Sequence, residues 1–398
     1  MLTLVLVVVG AALVFEFING FHDTANSIAA SVATKVLSPG QAVILAAVMN
    51  LIGALTGTAV AATIATGIVN TDVVEATSQL VLCALSGAIA WNLLTWWFGL
   101  PSSSSHALIG GLCGAALSAS HNNWHALIWS QNLGDWAHNK GLVWKVFLPM
   151  VTSPLVGFLL GVALMVLLWA LISGMERAGG VLKRLARPRW VNAIFGKLQI
   201  VSAAYMGYAH GHNDAQKTMG VIALTLFGAQ ASGAFNDLPA WLAFMHPAAG
   251  AGEKDVATWI VVTCALVMAA GTASGGWRII KTLGHKMVKL HPLDGFAVDT
   301  SSATVLMAAA HFGMPVSTTH TVSTVIMGVG FAKNPRALKL GVIERIVWAW
   351  ILTIPAAGGV AYGLYKLFEA MGWACGPHSI VIPAPFLTAE WRSKAGRF

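Results

Sequence analysis

The sequence predicts an all-α polytopic membrane protein built from two related halves, and three observations carry that prediction. Of its 398 residues 57% are hydrophobic and only 10% are charged, with a mean hydropathy of +0.72, whereas a soluble domain carries roughly 25% charged residues. Apolar runs of about 20 residues, the length that crosses a ~30 Å hydrocarbon layer, recur along the whole chain. Two unlike polar motifs each occur twice, in the same order, within that apolar background. A membrane barrel is excluded, because its strands read as short alternating segments of weaker hydrophobicity.

Taken in order, the expected spans are 2–18, 41–69, 80–100, 143–172, 195–210, 256–274, 297–312 and 340–367. The first lacks the basic leader and small-residue cleavage pattern of a signal peptide, so it reads as a retained helix. Four shorter apolar pieces, 24–34, 106–118, 218–230 and 320–332, each follow a polar cluster. They predict broken or re-entrant half-helices, because irregular backbone at membrane depth is tolerated only inside protein or along a cavity. Residues 275–291, "GGWRIIKTLGHKMVKLH", read as a basic amphipathic helix lying at the interface.

The net charge of +8 does not point to nucleic acid, because its location explains it. Arg177, Lys183, Arg184, Arg187, Arg189 and Lys197 sit in one linker, and Arg278, Lys281, Lys286 and Lys289 in another. Short loops rich in Lys and Arg mark the cytoplasmic side. The loops at 70–79 and 231–255 carry Asp72, Glu75, Asp237, Glu253 and Asp255 against a single Lys254. The four cysteines, Cys83, Cys113, Cys264 and Cys375, lack metal-ligand spacing and read as small buried hydrophobes. Tryptophans such as Trp96 and Trp97 read as interface anchors.

Internal repetition organises the chain. "NGFHDTANSI" (19–28) resembles "AHGHNDAQKTM" (209–219), with Gly20 on Gly211 and Asp23 on Asp214. "FGLPSSSSHALIG" (98–110) resembles "FGMPVSTTHTVST" (312–324), with Pro101, Ser103 and His106 on Pro315, Ser317 and His320. The division is repeat 1 over 1–176, a basic cytoplasmic linker over 177–197, repeat 2 over 198–370 and a tail over 371–398. Paired, polar-interrupted halves point to a secondary transporter with a midplane site. An odd number of spans per half makes the repeats inverted, with both termini external; Arg392, Lys394 and Arg397 in the tail pull the other way.

An ionised Asp near the bilayer centre costs several kcal/mol, and intramembrane acids mark substrate or ion pathways. Asp23 and Asp214 incur that cost at equivalent positions. "PSSSSH" and "PVSTTH" read as helix starts, with Pro in its preferred place and Ser or Thr as N-caps. Such starts bind anions through free N–H groups and the helix dipole. Donors from two helix starts and acceptors from two acids together suit an oxyanion that keeps protons. Phosphate does so at neutral pH and sulfate does not, and an unpaired buried group costs about 1–3 kcal/mol. An intramembrane Ser/His hydrolase is disfavoured, because catalysis needs no duplicated copies, and a channel because no pore-lining ring repeats.

At "NGFHDTANS", "GLPSSSSH", "HGHNDAQKT" and "GMPVSTTH" the chain resembles the inorganic phosphate transporter (PiT) family, in particular its bacterial low-affinity branch. The resemblance runs over about residues 10–367. It implies two inverted-topology repeats with about 12 membrane segments including re-entrant half-helices. It also implies cation-coupled phosphate symport in a multi-pass bacterial inner membrane protein, often a homodimer. Carried onto this sequence, it implies a substrate and coupling-ion site of Asp23, Asn26, Asp214, Ser103, Ser104, Ser105, Ser317, Thr318 and Thr319. Gln216, Lys217 and Thr218 are further contributors. The coupling ion is placed on Asp23, Asp214, Asn26 and Glu16, with Glu16 serving alternatively as a helix–helix partner. His22, where the family usually has Asn, favours protons over sodium. No cofactor or protein-held metal is expected beyond the coupling proton or sodium, and the resemblance leaves open that phosphate travels as a complex with a divalent cation. The competing expectation is a sulfate permease of the same family.

Among the other polar residues, His121, His125 and His138 read as solvated loop side chains. His106 and His320 orient the helix starts, and His210 and His212 are candidates for proton transfer. Asp299 is either a helix–helix hydrogen-bond partner or a coupling acid.

Overall fold

The structure is a computed structural model and describes residues 2–70, 73–74, 77–132, 134, 139–231, 233–236, 238–246 and 256–372. The acidic loop residues Asp72, Glu75, Asp237, Glu253 and Asp255, together with Lys254, His138, Cys375 and the tail from 373, lie outside the described residues. The first half consists of α1 (Leu2–Ala33), α2 (Pro39–Ala54), α3 (Ala59–Thr66), α4 (Ser78–Phe98), α5 (Ser104–Ala119) and α6 (Leu148–Ala178). A short exposed helix in the basic linker, α7 (Gly180–Leu185), leads to the second half. That half consists of α8 (Pro188–Ala231), α9 (Thr258–Ser274), α10 (Trp277–Lys281), α11 (Pro292–His311), α12 (Thr318–Lys333) and α13 (Leu340–Ala370). Among the described residues the only β pairing is two isolated bridges.

Two of the four expected half-helices are found. α5 and α12 begin inside the protein because α4 and α11 are stopped by glycines in the left-handed region, Gly99 (φ 65°) and Gly313 (φ 59°). Each is followed by a proline, which cannot continue a helix but suits a new start. The other two expected breaks are absent. α1 runs unbroken for 32 residues through the first motif, and α8 for 44 through the second. Polar side chains such as His22, Asn26, Asn213 and Lys217 find partners on neighbouring segments, so the backbone has no need to open. The expected span 41–69 divides instead, into α2 and α3.

α1 packs on α9 and α8 on α2; α5 packs on α13 and α12 on α6. Two apolar cores result. One contains Phe15, Leu85, Leu108, Ala215 and Met219, the other Ala25, Met206, Ala209, Leu283 and Val322. Along both α1 and α8 the polar motif lies where the helix passes from one core to the other. α1, α4, 143–178 and α13 are long and apolar enough to cross a membrane, and α9 with α10 makes a fifth such element bent by 58°. The polar residues of α8 and α11 lower their hydropathy because they face protein. Val151, Leu155, Leu159 and Leu167 of α6 are exposed, as a lipid-facing surface requires.

The segment 275–291 does not lie flat at an interface. Ile279, Ile280, Leu283 and Met287 are buried, and α10 with the turn after it packs against α1. The Arg278 guanidinium caps the Trp97 carbonyl and lies over the rings of Trp96 and Trp97, at 5.0 and 4.5 Å. Its apolar stripe finds a protein partner, which wins over a lipid one.

Candidate functional site

The site is built where α1, α8 and the starts of α5 and α12 meet. Each short helix is capped in the same way: Ser103 Oγ accepts from His106 N–H and Ser317 Oγ from His320 N–H, both at 3.2 Å. Removing such a cap costs about 1 kcal/mol, so Ser317→Ala is expected to lower the thermal midpoint of the purified protein by a few degrees. The His106 and His320 rings touch edge to face, with centroids 4.8 Å apart. His320 also packs on Trp350, whose indole N–H donates to Pro101 O. The histidines thus brace the two helix starts against each other.

The next residue of each start faces an acid. Ser104 Oγ donates to Asp23 Oδ2 at 2.7 Å, and Thr318 Oγ1 donates to Asp214 Oδ2 at 3.2 Å. The residue after that crosses between halves. Asn26 Nδ2 donates to Thr318 and Thr319 at 3.2 and 2.9 Å, while the Lys217 ammonium bonds Ser105 Oγ and Asp214 Oδ1. Thr319 Oγ1 also reaches Asp23 Oδ1 at 3.4 Å. The carboxylates of Asp23 and Asp214 and a ring nitrogen of His210 come within 4.8 Å of one another. Asp23, Asp214 and Lys217 are almost fully buried.

A second layer orients these groups. His22 Nδ1–H donates to Asp23 Oδ1 at 2.7 Å, which leaves Nε2 to accept from Thr95 or Ser102, at 3.2 and 3.4 Å. Asn213 Nδ2 donates to Asp214 Oδ1 at 2.9 Å. His210 Nε2 lies 3.2 Å from Asp214 Oδ2, and its Nδ1 is paired with Asn50 Oδ1. Asn50 Nδ2 in turn donates to Thr272 on α9. Sequence reasoning missed Asn213, Asn50, Thr95, Ser102 and Thr272. The signal for Asn50 was present, as an amide inside the apolar run 41–69.

Of the expected site residues, Asp23, Asn26, Ser103, Ser104, Ser105, Asp214, Lys217, Ser317, Thr318 and Thr319 are brought together. Gln216 is not: its amide accepts from Val60 N–H on α3 and donates to His212 O. Two residues along a helix is a rotation of roughly 200°, so Gln216 points away from the face that carries Asp214, whereas Lys217 returns to it. Thr218 bonds Glu16 Oε2, and together they form a separate buried pair one turn further along. Glu16 Oε1 and both side-chain polar atoms of Asn19 have no hydrogen-bond partner.

Long apolar helices around a buried core of acids, a lysine and helix starts define a polytopic membrane transport protein. The chain belongs to the phosphate transporter family, whose model matches residues 19–361. It is 40% identical over 371 residues to the probable low-affinity inorganic phosphate transporter of Bacillus subtilis, covering 92% of this chain and 98% of that one. The corresponding protein of Mycobacterium tuberculosis (strain H37Rv) is 42% identical, covering 93% and 79%. That of Rhizobium meliloti is 42% identical, covering 88% and 92%. A solved structure described as the sodium-dependent phosphate transporter shares the fold, with a TM-score of 0.74 at 22% identity, over 93% of this chain and 100% of that one.

Proposed function

We propose that this protein is a secondary symporter that moves inorganic phosphate across the bacterial inner membrane as a homodimer. Transport is driven by a cation, the proton in preference to sodium, through alternating access at a midplane site between two inverted-topology repeats of about 12 segments. The observation that carries this reading is the paired, crossed arrangement of the site. Ser104 with Asp23 and Thr318 with Asp214 make the same contact, while Asn26 and Lys217 each reach the helix start of the other half. The two sets of packing partners, α1 on α9 with α8 on α2 and α5 on α13 with α12 on α6, support the repeat reading.

Phosphate fits these groups by donor and acceptor count. Its unprotonated oxygens accept from Lys217, from the hydroxyls at 103–105 and 317–319, from the Asn26 amide and from the free first-turn N–H groups. Its O–H donates to Asp23 or Asp214, a contact that sulfate cannot make. The sulfate alternative finds no support among the relatives, whose names all specify phosphate. Asp23, His210 and Asp214 are the groups that would hold a coupling cation or a divalent ion carried with phosphate. Sodium is the second reading, favoured by the name of the solved structure with this fold.

The test is radiolabelled phosphate uptake into proteoliposomes under a proton gradient alone and a sodium gradient alone. Uptake driven by the proton gradient is expected, and uptake driven only by sodium assigns the second reading. Uptake under neither gradient, or its suppression by excess sulfate, overturns phosphate symport.

A further inference from the structure

Among the described residues three buried acids stand outside the site above: Glu16 bonds Thr218, Asp294 pairs with Lys333, and Asp299 has no charged partner. Asp299, in the middle of α11, is 2% exposed, and its Oδ2 has no hydrogen-bond partner. It faces Gln199 and Ser202 of α8, and no charged side chain stands beside it among the described residues. One turn on, the buried Ser302 hydroxyl is also without a partner. A bare carboxylate in such a place costs several kcal/mol, and a proton on the acid removes that cost.

A stripe of polar residues runs from the phosphate chamber toward this acid. Asp23, Ser27, Ser31 and Thr34 follow one another along one face of α1 at steps of four, four and three residues. They cover about 16 Å of helix, toward the end that carries the basic linker. The Ser27 and Ser31 hydroxyls are buried without a partner. Thr34 Oγ1 donates to Gln199 Oε1 at 2.9 Å, and Gln199 stands beside Asp299.

The other half keeps only part of this arrangement. Placing Asp23 on Asp214 and Phe98 on Phe312 sets Asp299 against Leu85, Gln199 against Val8, Ser202 against Ala11 and Ser31 against Ile222. Asp299, Gln199, Ser202 and Ser31 are therefore replaced by hydrocarbon in the other half, whereas Ser27 falls on Thr218 and Thr34 on Thr225, which keep their hydroxyls.

We propose that Asp299 is a second proton-binding acid of the coupling pathway, on the linker side of the phosphate chamber, joined to Asp23 by the hydroxyl stripe of α1. The proton adds to Asp299 Oδ2 and leaves from it; no bond other than this O–H forms or breaks. The proposal rests on the reading of the protein as a proton-coupled phosphate symporter.

Two measurements on the full-length protein in proteoliposomes separate the two ideas. Phosphate–phosphate exchange needs substrate binding and access to both sides but no net proton movement, whereas net uptake under a proton gradient needs both. Asp299→Asn is expected to keep exchange within about twofold of wild type and to lower proton-driven net uptake at least about tenfold, with Asp299→Glu restoring it. Proton-driven uptake at the wild-type level in Asp299→Asn overturns the proposal. Loss of exchange together with uptake also overturns it, by assigning Asp299 to folding or to the phosphate site. Absence of exchange in the wild type instead removes the phosphate reading itself. Should Asp299→Asn fail to fold, Ser31→Ala must give the same split between exchange and net uptake, and equal effects on both refute the proposal.

Discussion

Asp214→Asn is expected to abolish phosphate uptake and to weaken the fold, because it strips the Lys217 ammonium of its carboxylate inside the protein. Lys217 is 1% exposed, and its other contacts are Ser105 Oγ and, at 3.5 Å, Val316 O. Removing one partner of a buried ion pair costs about 3–5 kcal/mol, whereas replacing both with neutral groups costs far less. Lys217→Met is therefore expected to be as damaging as Asp214→Asn. The double variant Asp214→Asn/Lys217→Met is expected to regain thermal stability and still transport no phosphate. Thermal unfolding and proteoliposome uptake on the three variants separate the structural role of the pair from its role at the substrate. Recovery of uptake in the double variant would show that neither charge touches phosphate. Asp23→Asn is expected to lose uptake with a smaller loss of stability, since Asp23 is held by His22, Ser104 and Thr319 rather than by a lysine.

Gly20→Leu and Gly211→Leu are each expected to prevent assembly of the helix core. A Cβ at Gly20 would run into the backbone oxygen of Met268 on α9, and one at Gly211 into the backbone of Asn50 on α2. The neighbours are backbone atoms and cannot swing aside, so the helices must separate. Ordinary overpacking costs about 1–3 kcal/mol; displacing α9 or α2 also breaks the Asn50–Thr272 and Asn50–His210 bonds behind the site. Gel filtration of detergent-solubilised protein should show a monodisperse peak for wild type and aggregate for either variant. Gly10→Leu is the control, since nothing lies within 4 Å of a Cβ there.

The residue types of the buried cluster were legible before any coordinates, because much of the local structure that gathers them is set by short stretches of sequence. Proline followed by serines and threonines specifies a capped helix start wherever it occurs, and α5 and α12 begin where that signal lies. The repeated Gly and Asp picked out the acids that meet. The position of Gln216 could also have been read, since the helical period that returns Lys217 to the face of Asp214 turns Gln216 away. The continuity of α1 and α8 was not legible. Whether a helix opens at a polar cluster depends on partners supplied from elsewhere in the chain, here the hydroxyls of α4, α5 and α12 and the amide of Asn50.

By itself the sequence determined a helical membrane protein, its two halves and the residue types at its centre, because hydropathy, periodicity and capping act over a few residues. Only the tertiary structure decided that Asn26 and Lys217 reach across to the opposite helix starts, that His106 and His320 meet, and that Thr34 at the end of α1 bonds Gln199 of α8. Those pairings join residues 112 or more positions apart, where side-chain geometry and close helix packing, rather than local backbone preference, select the partner.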